Sequence, residues 1–147
     1  MISPAKQNTL PRFRVLFVCI GNSCRSPMAE AIANKDAAEW IEISSAGLSP
    51  LGVVQKETLQ TIELNGYPVE GLYSKPILAD DWAKADLVVN MSGYNKESAF
   101  PRSEWPKVED WDIADPYGCN SAVYQRIFDD IRSRIRELIA RLHETRW

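Results

Sequence analysis

Apolar residues recur along this chain in two different periods. The run Arg14-Val15-Leu16-Phe17-Val18 is short, continuous and rich in β-branched and aromatic side chains, the pattern of a strand buried on both faces of a parallel sheet. It ends at Cys19. Ser26-Pro27 reads as a helix start, an oxygen-bearing cap followed by proline at the first helical position, and residues 28–33 continue as good helix formers. The alternation then repeats. Residues 41–44 read as a strand, 55–64 as a helix stopped by Asn65-Gly66, 79–85 as a helix leading into a strand at 87–89, and 108–111 as a last strand reached through the proline-broken stretch 100–106. From Tyr124, Ile127, Phe128, Ile131, Ile135, Leu138, Ile139 and Leu142 recur at three and four residues, one apolar stripe of a long terminal helix.

Strands alternating with helices predict an α/β fold: a single-domain, doubly wound, four-stranded parallel sheet with helices on both faces. Ligands in such folds sit at the carboxyl ends of the strands. Residues 19–25, between a strand end and a helix start, occupy that place.

Composition narrows the function classes. The chain has 147 residues, 45% apolar and 25% charged, enough for one core. Its 17 basic and 20 acidic side chains give a net charge of −3, so no global field gathers nucleic acid or an anionic membrane, and neither is expected as a partner. Arg132, Arg134, Arg136 and Arg141 are interleaved with acids and read as a solvated helix face. No apolar run is long enough to span a bilayer. Residues 1–11 are polar, carry two prolines and lack the apolar centre of a signal peptide; they read as a flexible extension ahead of one catalytic domain over 12–147. Three cysteines without a signal peptide predict reduced thiols in the cytoplasm. The lone histidine, His143, lies far from Cys19 and Cys24, so no metal and no other cofactor is expected.

In Cys19-Ile20-Gly21-Asn22-Ser23-Cys24-Arg25-Ser26, a cysteine and an arginine are separated by five residues. A loop entering a helix turns backbone N–H groups inward, and the helix dipole adds positive potential. Residues 20–25 would thus hold a tetrahedral anion, with Arg25 giving it a two-pronged hydrogen bond. The same field favours the thiolate of Cys19, the nucleophile. Gly21 and Asn22 tolerate the backbone angles of a tight curl. Ser26 can cap the helix and can also donate to the sulfur, assisting thiolate departure. Cys24 reads equally well as a buried residue or as a reversible disulfide partner of Cys19. Expulsion of an alkoxide needs an acid. Histidine being unavailable, the choice falls on Asp115 in Trp111-Asp112-Ile113-Ala114-Asp115-Pro116-Tyr117-Gly118, where the following proline fixes an extended backbone.

Together the segment from Val15 to Glu30 and the later Asp115-Pro116-Tyr117-Gly118 closely resemble the low-molecular-weight protein tyrosine phosphatase family. The resemblance implies hydrolysis of a phosphomonoester, protein tyrosine phosphate or a small phosphate ester, through a cysteinyl-phosphate intermediate. Cys19 matches the nucleophile, Arg25 the phosphate-binding arginine, Asp115 the general acid and base, and Ser26 the hydroxyl beside the sulfur. Asn22 and Ser45 match the loop-supporting network. Tyr117 and Leu48, with Ile20, are candidate walls of the mouth. The same fold includes thioredoxin-coupled arsenate reductases, and Ser92 stands where their first relay cysteine would fall. An arsenate reductase using an external thiol is therefore the alternative, and a non-catalytic module binding phosphorylated ligands the second.

Overall fold

The computed structural model describes residues 12–146; the extension expected at 1–11 lies outside the described residues. Four parallel strands, β1 (Phe13–Cys19), β2 (Ile41–Gly47), β3 (Leu87–Asn90) and β4 (Val108–Asp110), form one sheet in the order β2-β1-β3-β4. The chain steps outward from β1 to β2 and returns past β1 to β3. The strand order reverses beside β1, and a crevice opens there at the carboxyl ends.

The burial of β1 on both faces, expected from its unbroken apolar run, is observed. Val15, Phe17 and Cys19 belong to one core cluster, while Leu16 and Val18 belong to the other. The first cluster is covered by α1 (Arg25–Asp36), α2 (Lys56–Leu64) and α5 (Ser121–Arg146). The second lies under α3 (Ala79–Lys84), α4 (Lys96–Ala99) and a 3-10 helix at Arg102–Lys107. The predicted stripe of α5 is buried at Ile127, Phe128, Ile131, Ile135 and Leu138 and half-buried at Ile139 and Leu142. Each fully buried side chain of this size contributes about 2 kcal/mol. On the outer face Arg132 and Arg134 pair with Asp129 and Asp130, as the solvated-face reading requires.

Three boundaries differ from the sequence reading. Helix α5 begins at Ser121, a turn before the amphipathic pattern starts, because Asn120 caps it through its Oδ1 to the Val123 N–H at 3.1 Å. The stretch 100–106 taken as proline-broken holds most of the 3-10 helix, whose Trp105 donates to the Phe100 carbonyl at 2.9 Å, and α4, capped by Asn95, ends just before it. Most relevant to the site, α1 begins at Arg25 rather than after a Ser26 cap, and no side chain caps it. Pro27 still falls in the first turn, where its missing N–H costs nothing.

Candidate active site

The loop between β1 and α1 is held from behind by the chain following β2. Leu48, Ser49, Leu51 and Gln55 donate their backbone N–H groups to the carbonyls of Cys19, Ile20, Gly21 and Ser23 at 2.8–3.1 Å. In a trans peptide the N–H points opposite to its own C=O, so the amides of Ile20, Gly21, Asn22 and Cys24 turn the other way, toward the loop's interior. Asn22 adopts φ +48°, and among the described residues it alone, glycines apart, has a positive φ. Gly21 does not, contrary to the expectation that it would share the strained curl. The glycine that matters is Gly47, where a Cβ would lie 2.8 Å from the Ile20 carbonyl oxygen and 3.0 Å from the Asn22 backbone nitrogen. Its register opposite Cys19 brings β2 against the loop.

The wall behind the sulfur is polar and shut off from solvent. Cys19 Sγ lies 3.0 Å from Ser26 Oγ and accepts from the Ser26 N–H at 3.4 Å. Freed from capping, the Ser26 hydroxyl serves the sulfur. Asn22 Nδ2 donates to Ser26 Oγ at 2.7 Å and to Ser45 Oγ at 3.0 Å. Ser45 donates to Glu30, and Asn22 Oδ1 accepts from the Lys75 N–H at 3.0 Å. Ser74 ties the same wall to the rim, donating to the Gly21 carbonyl at 2.8 Å and accepting from the Gly52 N–H at 3.0 Å. Sequence reasoning found Asn22, Ser26 and Ser45 but missed Glu30, Ser74 and Lys75. Only the Ser45-Ala46-Gly47 register against β1 hints at which distant segments meet here.

Arg25 is buried beneath the opening. It donates through Nη1 to the Ile113 carbonyl at 3.1 Å, and its Nη2 lies 3.6 Å from Asp115 Oδ2. Its Nε and the Ser23 hydroxyl are buried without a hydrogen-bond partner. Both residues line a cavity of about 270 Å³ whose walls also include Cys19, Ile20, Gly21, Cys24 and Asp115. An unpaired buried donor costs about 1–3 kcal/mol, more when charged, so a bound oxyanion would be favoured by satisfying both.

Asp115 is half-exposed at the cavity mouth, and its Oδ1 accepts from the Tyr117 N–H at 3.0 Å. The Asp-Pro turn and the aimed carboxylate are one feature. Asp112, the other candidate carboxylate, is exposed and does not line the cavity. Tyr117 lines the mouth as expected. Leu48 does not: it packs against the second core cluster, and Ser49 and Leu51 take the rim in its place.

Cys24 is buried, its Sγ 3.6 Å from the Tyr124 hydroxyl. Burial pushes its thiol up, against hydrogen bonds with Thr58 and Tyr124. Burial also pushes the Tyr124 hydroxyl up, as does its hydrogen bond with Cys24. Ser92 is buried after β3 and donates to Asn90 Oδ1 at 2.7 Å. Among the described residues no group of three or more His, Cys, Asp or Glu is placed to hold a metal ion, and no helix is long and apolar enough to cross a membrane.

The model of the family described as low molecular weight phosphotyrosine protein phosphatase matches residues 14–146. A protein-arginine-phosphatase of Geobacillus stearothermophilus is 29% identical over 142 residues, covering 88% of this chain and 96% of that protein. A glutaredoxin arsenate reductase of Synechocystis is 33% identical over 135 residues, covering 88% and 98%. The solved structure of a low molecular weight protein tyrosine phosphatase from T. tengcongensis superposes with a TM-score of 0.80 at 30% identity, covering 88% and 99%.

Proposed function

Because the chain belongs to the low molecular weight phosphotyrosine protein phosphatase family, we propose that it hydrolyses phosphate monoesters, aryl esters such as protein tyrosine phosphate among them, through a phosphocysteine at Cys19. The observation that carries this reading is the pair of buried, unpartnered donors, Arg25 Nε and Ser23 Oγ, in the wall of the cavity that Cys19 also lines.

The loop amides and Arg25 hold the phosphoryl oxygens and stabilise the charge that spreads over them in the transition state. The Cys19 thiolate forms the S–P bond as the P–O bond to the leaving group breaks, and Asp115 gives that oxygen its proton. Asp115 then takes a proton from water, the water oxygen bonds to phosphorus, and the thiolate departs with the Ser26 hydroxyl donating to it. The free thiols suit a reducing compartment, the cytoplasm. Release of phosphate from an aryl phosphate should be easily measured for the wild type and vanish in Cys19→Ser. If the wild type releases none, the reading fails.

A second reading is supported by the Synechocystis relative, named as an arsenate reductase and matched over nearly its whole length. Arsenate fits the same cradle. Reduction to arsenite takes two electrons, which two molecules of an external small thiol would supply while joining as a disulfide, one arsenate oxygen leaving as water. Arsenate-dependent thiol consumption, measured beside phosphate release, separates the two.

A further inference from the structure

We propose that Arg134 and Arg141, on the outer face of α5, are positioning residues that hold the chain leaving β4 so that the Asp115 carboxyl stays at the cavity mouth. The proposal rests on the reading of Asp115 as the general acid.

The sheet lets go of this chain before it reaches the acid. Trp111 still donates its N–H to the Asn90 carbonyl at 2.8 Å, but residues 112–116 carry no regular structure, so no ladder sets the direction of Asp115. Two buried side chains anchor the segment, Trp111 against Phe17 and Ile113 in the first core cluster, while Asp112, Ala114 and Asp115 are exposed. Such anchors fix where the chain lies and leave it free to rotate about its own line, which would swing the Asp115 carboxyl away from the cavity. The rotation is stopped by two guanidinium groups on consecutive carbonyls. Arg25 Nη1, from α1, donates to the Ile113 carbonyl at 3.1 Å, and Arg134 Nη2, from α5, donates to the Asp112 carbonyl at 3.2 Å. Each peptide group is planar, so holding two neighbours from two helices fixes the orientation of both.

Arg134 is itself aimed, since its Nε donates to Asp130 Oδ1 at 3.1 Å one turn earlier on the helix. Arg141 holds the root of the same segment. It donates to both oxygens of Glu109, Nη1 to Oε1 at 3.2 Å and Nη2 to Oε2 at 2.8 Å, and Oε2 also accepts the indole N–H of Trp111 at 2.6 Å. Burial works to raise the Glu109 carboxyl, and the hydrogen bonds from Arg141 and Trp111 outweigh it, so the carboxyl stays below its ordinary value and is charged at neutral pH. A groove of about 440 Å³, lined by Glu109 and Trp111 on one side and Arg134, Glu137 and Arg141 on the other, runs between the segment and α5. The two arginines span it. They belong to the set that reads in sequence as a solvated face, and Arg132 of that set pairs only with its own helix, on Asp129 at 3.2 Å and over the Phe128 ring at 5.3 Å.

The test compares, in the full chain, kcat/KM for an alkyl phosphate and for an aryl phosphate whose phenol is an activated leaving group. A misplacement of about 1 Å can cost a catalytic group about 10²-fold. Arg134→Met should lower the alkyl value about tenfold and the aryl value less than about twofold, because only the poor leaving group needs the aimed proton. Arg141→Met should act in the same direction. Adding Arg134→Met to Asp115→Asn should cost nothing further, since no acid remains to aim. Arg132→Met, which removes an equal charge from the same helix, should leave both values unchanged. Deuterium uptake by residues 111–118 should rise in Arg134→Met and Arg141→Met. Should Arg134→Met fail to fold, Arg134→Lys, which keeps the charge but has no fork to reach Asp130 and the Asp112 carbonyl together, should show the same dependence on leaving group. Unchanged values in the folded Arg134 variants, equal losses for both esters, a further loss on the Asp115→Asn background, or a matching loss in Arg132→Met would overturn the proposal. Uptake needs no substrate. A wild type that releases phosphate from neither ester therefore overturns the proposed function, and uptake by residues 111–118 still decides whether the two arginines hold the segment.

Discussion

The inner wall of the cavity and its outer lip are built on opposite terms. Behind the sulfur, Asn22, Ser26 and Ser45 are at most 1% exposed and each makes two or more hydrogen bonds to other members of the wall. At the lip, Leu51 and Tyr117 are 50% and 58% exposed, and the lining they offer is mostly apolar surface. On the proposed function, the wall meets the part common to every substrate, a tetrahedral anion whose charge must be matched in a fixed geometry. The lip meets the organic group, which differs between substrates. Rigidity therefore belongs to the chemistry and looseness to selection. This contrast gives a physical basis for relatives named as arginine phosphatases, tyrosine phosphatases and arsenate reductases sharing one fold.

The comparison breaks most visibly at Arg25. Arg25→Lys keeps a positive charge but loses the planar fork, and kcat/KM for an aryl phosphate should fall about 10³-fold; a loss below tenfold would mean that charge alone suffices in the wall. Next comes Asp115, which belongs to the lip by exposure and to the wall by its partner Arg25. Asp115→Asn should lower kcat about 10²-fold for a poor leaving group such as an alkyl phosphate and far less for an activated phenol, and a loss independent of the leaving group would remove its role as acid. Gly47→Ala forces a methyl against Ile20 and Asn22. It should destabilise the fold by about 1–3 kcal/mol in urea unfolding and slow turnover, whereas alanine at Gly52, which has nothing within 4 Å but a φ of +90°, should cost stability alone. The smallest kinetic effects belong to the lip. Leu51→Ala and Tyr117→Ala should raise KM for an aryl phosphate a few-fold with kcat within about twofold, and should leave arsenate or inorganic phosphate binding unchanged.

A last prediction concerns the floor beneath the wall. Burial raises the Cys24 thiol from 9.0 in the folded chain. The unfolded chain therefore loses that proton first as pH rises. Stability is fully present below the unfolded value and is lost as pH climbs from there toward the folded one, by at most about 1.4 kcal/mol per pH unit for one group. Tyr124 is raised in the same sense. Urea unfolding followed above pH 8 should show this decline, and Cys24→Ala should flatten it.

Much of this was legible in one dimension because its causes are local. A short unbroken apolar run rich in β-branched and aromatic residues suits a strand buried on both faces, and β1 divides its side chains between the two cores accordingly. A cysteine and an arginine spaced across a strand-to-helix turn bring their own anion field with them, and Asp115 carried its signal in the proline that follows it. The same local reasoning left two choices open. Ser26 read both as a helix cap and as a donor to the sulfur, and it lies beside the sulfur without capping the helix; Gly21 and Asn22 both suited a tight curl, and of the two Asn22 takes the positive φ.

Tertiary structure alone decided what stands behind and around the loop. That Leu51 and not Leu48 lines the mouth depends on how the chain after β2 threads against the loop carbonyls. That Trp111 packs on Phe17 and Trp82 on Phe100 depends on which face of the sheet each segment reaches. That Glu30, Ser45 and Lys75 converge on Asn22 depends on the parallel register that sets Gly47 beside Cys19. The sequence by itself determined the elements and singled out the candidate loop from Cys19 to Arg25, because periodicity, turn chemistry and the field at a helix start act over a few residues. Their partners came from register and packing, which join residues dozens of positions apart.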